Sequence, residues 1–213
     1  MTYGLDFEPK VLVSAPPGDP GWWALDVTPS VDYAASRWFD LIGELGTAYT
    51  AQTDDVNSME LTPRAGVRLH LFSRDLPTPT RLGLLEWLPK RRVVLRDLAR
   101  VEARNLFYTG DGQAGSSTVR FRNRIEFLAP LNEEKLTTDG AIYVLSDWEW
   151  FIPIGDPAER FSNKQRIRAG LGYRRDVRWR FEALYIWSRS RNTIESGYQN
   201  TDHALDIRLK RVF

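Results

Sequence analysis

Charged side chains recur at every second position along several segments of this 213-residue chain. Arg120, Arg122 and Arg124 form one such series, and Asp6 and Glu8 form another. Because successive side chains of a β-strand point to opposite faces, a spacing of two places each series on one face of a sheet. Guanidinium and carboxylate groups on facing surfaces could form buried ion pairs, or they could attract an anionic solute.

The charge is distributed unevenly along the chain. Residues 1–62 hold ten acidic residues against two basic ones, a net charge of −8. The remainder holds 27 basic residues against 18 acidic ones, a net charge of +9. The two parts therefore attract each other if the sheet closes on itself. A nucleic-acid-binding protein would more often carry an unneutralised basic patch, so no nucleic-acid partner is expected.

The elements that must position these charges are strands. Ten segments alternate apolar and polar residues, with breaks rich in Gly, Pro, Ser and Asn between them. The last segment, residues 201–213, has an apolar face and a charged face and ends on the aromatic Phe213. A tilted strand of about ten residues spans roughly 25 Å, the height of a lipid-facing band.

The predicted fold class is therefore all-β: a closed antiparallel up-and-down transmembrane β-barrel of about ten strands with a polar, charged lumen. It forms a single domain over residues 1–213. The exception to the alternation is the segment 75–91, which contains Pro77, Pro79 and Pro89. We interpret it as a long periplasmic connection and as the candidate contact for a protein partner.

Strand parity assigns the charged faces to the lumen. The candidate lumen-lining residues are Asp6, Glu8, Asp26, Asp40, Glu44, Glu60, Arg100, Glu102, Arg104, Arg120, Arg122, Arg124, Glu126, Asp147, Glu149, Arg166, Arg168, Arg178, Arg180, Glu182, Asp206, Arg208 and Lys210. Arg208 and Lys210 of the last strand are predicted to lie near Asp6 or Glu8 of the first, because those two strands close the barrel.

Two uses of such a lumen are open. A ten-stranded barrel is narrow, so long side chains could pack as an ionic plug in a barrel of structural or interaction type, one that could belong to a membrane complex. This is the leading interpretation. The alternative is a narrow anion-preferring channel lined by the arginines. A third possibility inverts the same alternation and gives a soluble carrier like the lipocalins or fatty-acid-binding proteins.

The sequence contains few residues suited to catalysis or to metal binding. The chain has no Cys, so thiolate chemistry and disulfides are excluded. Of the two His, His70 has inward parity and His203 outward parity, and neither has a nucleophile placed beside it. The acids Asp54, Asp55 and Asp111 fall in loops and are expected to be solvated. We expect no catalytic residue, metal or cofactor, and hence no enzymatic activity.

Three stretches carry a family resemblance. They are Arg100-Val-Glu-Ala-Arg-Asn-Leu-Phe-Tyr108, Val119-Arg-Phe-Arg-Asn-Arg-Ile-Glu-Phe127 and a last strand that ends on Phe213. They resemble the small Gram-negative outer-membrane proteins of the DUF2490 type over the C-terminal two thirds of the chain. The usual aromatic-Arg-Phe ending is Arg-Val-Phe here. The resemblance implies an outer-membrane, porin-like barrel and no particular activity.

The same resemblance implies the surroundings of the protein. Phe213 looks like the C-terminal aromatic that the barrel-assembly machinery reads, and the other expected partner is the lipid bilayer. No signal-peptide pattern precedes the first strand-like segment. Under the barrel interpretation, we expect that the signal peptide has already been removed and that the mature protein lies in the outer membrane.

Overall fold

The computed structural model describes residues 1–14, 21–52, 56–72, 93–109, 115–154, 164–190 and 200–213. These residues form ten strands: β1 (Thr2–Ser14), β2 (Trp22–Ala34), β3 (Phe39–Gln52), β4 (Ser58–Phe72), β5 (Val94–Tyr108), β6 (Ser116–Pro130), β7 (Ile142–Ile154), β8 (Lys164–Arg174), β9 (Trp179–Ser190) and β10 (Asn200–Val212). The segment 75–91, predicted to be a connection with a partner contact, lies outside the described residues. Within the described ranges, no helix is long and apolar enough to cross a membrane.

The ten strands form one closed antiparallel sheet. Each strand pairs with its neighbour in sequence, and β1 pairs with β10 to complete the circle. A strand of 13 residues rises about 43 Å, or about 33 Å along the axis when tilted by about 40°. This length exceeds the height of a lipid-facing band. The predicted ten-stranded up-and-down barrel is confirmed.

The seam between the first and last strands carries the predicted ion pairs. Lys210 is the register partner of Asp6, and its Nζ lies 3.1 Å from Asp6 Oδ2. The Nε of Arg208 lies 3.5 Å from Glu8 Oε1. The backbone N–H of Phe213 adds a hydrogen bond of 2.9 Å to the carbonyl oxygen of Tyr3. The opposite net charges of the early and late strands therefore meet where the barrel closes.

The two faces of the sheet have opposite character. Large apolar side chains such as Leu45, Val101 and Ile207 point outward and are exposed. Many buried side chains on the inward face are charged, among them Glu102 and Arg168. A soluble carrier needs the reverse orientation, with apolar side chains around its ligand and charges in water. Outward apolar and inward polar faces are the arrangement of membrane barrels.

Both chain termini lie at one end of the barrel, which we call the terminal end, and the opposite end is called the far end. Exposed aromatic side chains lie near the strand ends at both ends of the barrel. Tyr33, Tyr173 and Phe213 lie at the terminal end, and Trp23 and Phe107 lie at the far end. Amphipathic aromatic rings favour the membrane–water interfaces, so this distribution suits a barrel that spans a bilayer.

One predicted lumen residue is placed elsewhere. Arg178 lies in the turn between β8 and β9 and is exposed. The Asp176 carboxylate accepts hydrogen bonds from the backbone N–H groups of Arg178, at 2.7 Å, and Trp179, at 2.9 Å. Because the Asp176 side chain stabilises the turn, β9 begins only at Trp179. Regular alternation, on which the prediction rested, therefore begins one residue after Arg178.

Two inward-facing glycines make room for large side chains. A Cβ at Gly46 would overlap the guanidinium of Arg64, and a Cβ at Gly172 would overlap the ring of Tyr143. The Tyr143 ring of β7 passes over Gly172 of β8, and its hydroxyl donates a 2.7 Å hydrogen bond to Glu182 of β9. Gly172 thus permits a side-chain contact between strands that are not neighbours.

We expect Gly172→Ala to destabilise the folded barrel by about 1–3 kcal/mol, because the new methyl group would displace the Tyr143 ring. Urea unfolding in detergent micelles, followed by tryptophan fluorescence, measures the change. The double variant Gly172→Ala/Tyr143→Leu provides the control, since a shorter side chain at position 143 removes the clash. Additive effects of the two substitutions would contradict the packing explanation.

Candidate functional site

A cavity of about 650 Å³ occupies the lumen, and all ten strands contribute residues to its lining. Among the residues that the structure describes, the lining contains fifteen Lys and Arg side chains and eight Asp and Glu side chains. It reaches from Trp22 and Tyr108 towards the far end to Arg96 and Arg180 towards the terminal end. The surface of the cavity is therefore strongly basic.

The structure places the predicted lumen residues in two layers. The first lines the cavity directly and consists of Asp6, Glu8, Asp26, Glu44, Glu60, Arg100, Arg104, Arg120, Arg122, Arg124, Glu126, Arg166, Arg168, Arg180, Glu182, Arg208 and Lys210. The second, whose side chains form ion pairs beside or behind this lining, consists of Asp40, Glu102, Asp147, Glu149 and Asp206. The second layer is wholly acidic, which is why the lining has more basic than acidic groups.

Further residues line the cavity beyond those predicted. The charged ones among them have the same inward parity and are Lys10, Arg64, Arg68, Arg96, Lys164 and Asp202. Their alternation with apolar neighbours was the available signal. Phe151 also faces inward, with the guanidinium carbons of Arg120 and Arg122 at 4.6 and 4.8 Å from its ring centre. A cation can be held over an aromatic face. The signal for Phe151 was its parity in β7, which is the same as that of Asp147 and Glu149.

Glu102 is the centre of one half of the ion-pair network. Its carboxylate is fully buried. Its Oε1 lies 2.9 Å from Arg122 Nη1 and 3.0 Å from Arg100 Nε, and its Oε2 lies 2.7 Å from Arg120 Nη2. Arg64 Nε approaches at 3.5 Å. Such charge-assisted contacts compensate the cost of taking a carboxylate out of water.

Glu149 is the centre of the other half. This carboxylate is also fully buried, and Arg122 and Arg166 both donate hydrogen bonds to it. Arg122 therefore contacts Glu149 as well as Glu102. Arg100 extends the network towards the early strands, with its Nη1 2.7 Å from Glu44 Oε2. One continuous set of ion pairs thus runs from β3 to β8.

A second group of ion pairs surrounds the seam. Arg208 Nη2 lies 2.7 Å from Asp206 Oδ2, its Nε lies 3.5 Å from Glu8 Oε1, and its Nη1 lies 3.6 Å from Glu182 Oε2. Lys10 pairs with Glu8 at 3.1 Å and also contacts Asp26. These contacts join β9, β10, β1 and β2. Together the two groups place charged partners against each other around the whole wall.

The ion pairs follow the wall of the barrel. Among the strand residues that the structure describes, they join only residues of the same strand, of neighbouring strands or of strands two apart. The widest, between strands two apart, join Arg100 of β5 to Glu44 of β3 and to Glu149 of β7, Arg68 of β4 to Asp32 of β2, and Lys164 of β8 to Asp202 of β10. Opposite walls of a ten-stranded barrel are five strands apart. The network therefore braces the wall and leaves the axis to the cavity.

The two histidines have structural partners. His70 faces inward, and its Nε2 lies 2.8 Å from Asp40 Oδ2. His203 faces outward, and its Nδ1 lies 2.5 Å from the hydroxyl of Tyr185. No group of three His, Cys, Asp or Glu side chains in the described ranges could hold a metal ion. Asp54, Asp55 and Asp111 lie outside those ranges.

Replacing the central carboxylate should destabilise the barrel strongly. We expect Glu102→Gln to lower the free energy of unfolding by about 3 kcal/mol or more, because Arg64, Arg100, Arg120 and Arg122 would share a buried site without their common anion. Urea titration of the folded protein in detergent measures this. The matched control is Glu134→Gln, an exposed residue of the β6–β7 turn, which should change stability by less than about 0.5 kcal/mol. Equal stability of the two variants would contradict the assigned role of Glu102.

A protein-family model matches most of this chain. The family model described as "Protein of unknown function (DUF2490)" matches residues 21–199. That match extends closer to the N terminus than the three stretches that carried the resemblance. No curated protein matches the chain.

Three solved structures with a similar fold are distant from this chain in sequence. The transport unit of the autotransporter AIDA-I from Escherichia coli is 10% identical to this chain, with a TM-score of 0.51. The match covers 99% of this chain and 89% of the transport unit. The translocator domain of autotransporter NalP from Neisseria meningitidis is 7% identical with a TM-score of 0.45, covering 100% and 87%. The COG4313 outer membrane channel from Pseudomonas putida F1 is 10% identical with a TM-score of 0.43, covering 100% and 95%.

At such low identity, the likeness to the AIDA-I transport unit establishes the fold and nothing about activity. The family model, by contrast, matches most of the chain. This protein therefore belongs to the DUF2490 family, and its fold is that of the outer-membrane β-barrels.

Proposed function

We propose that this protein resides in the outer membrane and that its lumen is a narrow passage that prefers anions. The observation that carries the proposal is the composition of the cavity lining. Its described residues include fifteen basic side chains and eight acidic ones. A cavity with low-dielectric walls concentrates solutes of opposite charge, so anions would enter it more readily than cations.

The burial of the acidic layer explains how a wall of mixed charge can favour anions. Glu102, Glu149 and Asp206 are fully buried, whereas Arg64, Arg124 and Arg166 border the cavity and are only partly buried. The carboxylates thus hold the arginines in place while the outer parts of the guanidiniums remain beside the passage. A solute on the axis would meet mainly hydrogen-bond donors with positive charge.

The competing hypothesis is a barrel of structural or interaction type with a plugged lumen. A plug requires side chains that meet across the axis, whereas the described ion pairs join strands no more than two apart. This arrangement supports a passage over a plug. Neither hypothesis needs a catalytic residue, and we propose no enzymatic activity. Recognition of Phe213 by the barrel-assembly machinery, and a protein contact at 75–91, remain part of the proposal.

Membrane residence can be tested with two valine substitutions. Val101 lies outward at the middle of β5, and Val177 lies exposed in the β8–β9 turn. We expect Val101→Arg to destabilise folding into lipid vesicles by about 2–4 kcal/mol and Val177→Arg by about 1 kcal/mol or less, because only the first places a charge in the apolar band. Heat-modifiable gel mobility and urea titration in vesicles measure the difference. Equal effects, or a folded water-soluble monomer without detergent, would refute a transmembrane barrel.

Ion preference can be tested in planar bilayers. In a KCl gradient, the reversal potential of the folded barrel should have the sign of a chloride-selective pore. Arg124 and Lys164 have their nearest acidic partners at 4.0 and 3.8 Å, so their charges are loosely engaged. The double variant Arg124→Glu/Lys164→Glu should lower the chloride-to-potassium permeability ratio by about threefold or more.

The matched control for this charge reversal is Arg175→Glu/Arg178→Glu, which changes the charge by the same amount in the exposed β8–β9 turn. It should leave the permeability ratio close to that of the unmodified barrel. A cation-selective unmodified barrel would refute the anion preference. A folded barrel that conducts no ions would support the plugged-lumen hypothesis instead.

A further inference from the structure

Three arginines in the part of the lumen towards the terminal end, Arg96, Arg124 and Arg180, have few ion-pair partners among the described residues. Glu126 of β6 is the register partner of Arg96, and its Oε1 lies 2.9 Å from Arg96 Nη2. Its Oε2 lies 4.0 Å from Arg124 Nη2, at the limit of an ion pair. Arg180 of β9 lines the same cavity and has no ion pair or hydrogen bond to any residue that the structure describes. Among the described residues, this group of three guanidiniums therefore has one carboxylate at ion-pair distance, and that carboxylate reaches only two of them.

The arginines of this group are close enough to repel one another. Glu126 is the strongest opposite charge acting on Arg96, and the like charges acting on it include Arg124 and Arg180. Each of the three side chains also has a buried Nε atom without an acceptor among the described residues. A buried N–H donor without an acceptor is costly, so the described residues satisfy these three guanidiniums incompletely.

The neighbouring acids are engaged elsewhere. Glu182 accepts a 2.7 Å hydrogen bond from the hydroxyl of Tyr143 and lies 3.6 Å from Arg208. Asp32 lies 2.9 Å from Arg68. Asp6 lies 3.1 Å from Lys210. Among the described side chains, Glu126 is the one carboxylate within ion-pair distance of Arg96 or Arg124, and none lies within that distance of Arg180. By contrast, Glu102 and Glu149 serve the arginines of the middle of the barrel.

We propose that Arg96, Arg124 and Arg180 form a binding subsite for a small oxyanion, the carboxylate or phosphate group of a solute in the lumen. The subsite rests on the proposed function in that the solute reaches it through the passage. A guanidinium presents two parallel N–H donors that match two oxygens of such a group. The bound oxyanion would offer acceptors to the guanidinium groups that border the cavity and would supply the negative charge that Glu126 alone does not provide.

Equilibrium binding tests the subsite without requiring conduction. The folded barrel in detergent is titrated with inorganic phosphate and, separately, with citrate at matched ionic strength, and heat release is measured by calorimetry. We expect saturable binding of at least one of them, weakened about tenfold or more in Arg180→Gln, because a charge-assisted contact is lost. Arg180→Lys keeps the charge and loses the planar donor pair. Its affinity for the probe should therefore lie between those of the unmodified barrel and Arg180→Gln.

Arg178→Gln is the matched control, since Arg178 lies two residues away in the exposed turn and outside the cavity. It should bind as the unmodified barrel does. Arg180→Gln should also remain at least as stable to urea as the unmodified protein, since it removes a charge that has no described partner. A less stable Arg180→Gln would overturn the premise that this charge is uncompensated.

The outcomes separate the subsite from the passage. Loss of phosphate or citrate binding in Arg180→Gln and retention in Arg178→Gln would support the subsite, and the probe that binds identifies phosphate or carboxylate as the group recognised. Binding by neither probe, or equal binding by both variants, would overturn the subsite even if the barrel conducts anions. Binding to a barrel that conducts nothing would keep the subsite and refute the passage.

Discussion

The structure depends on the pairing of buried charge inside a closed sheet. Glu102 and Glu149 are fully buried, and each is surrounded by several guanidiniums at hydrogen-bonding or ion-pair distance. Because an unpaired ion in such a site is far more costly than a paired one, closure of the barrel requires that these groups meet in register. The hydrogen bonds between β1 and β10 and the ion pairs across the same seam therefore support each other.

This constraint also shapes the cavity in the lumen. Carboxylates that are buried in the wall, such as Glu102 and Glu149, orient the arginines in front of them, so some of the compensating acids do not line the cavity. The wall as a whole is of mixed charge while its inner surface is basic. The same principle explains the group at the terminal end. There the acids are engaged by other cations, and Arg180 retains a charge that no described residue compensates.

Much of the fold could be predicted from the alternation of residues. In β10, apolar Leu205, Ile207 and Leu209 alternate with charged Asp206 and Arg208, and the structure places the two sets on opposite faces. The same rule placed most of the predicted lumen residues inside. It failed at Arg178, where the Asp176 side chain stabilises a turn and delays the start of β9. The rule also applies to Tyr143 and Phe151, which share the parity of Asp147 and Glu149 and lie within the charged interior, although neither was predicted as a lumen residue.

By itself, the sequence determined the number of strands, their polar and apolar faces and the meeting of an acidic first strand with a basic last one. These follow from a period of two and from the order of strands in an up-and-down sheet. Only the tertiary structure decided which arginine meets which carboxylate and how much of the lumen remains open. Those outcomes depend on register and on distances between strands that are remote in sequence, such as Arg100 with Glu44, and no local pattern encodes them.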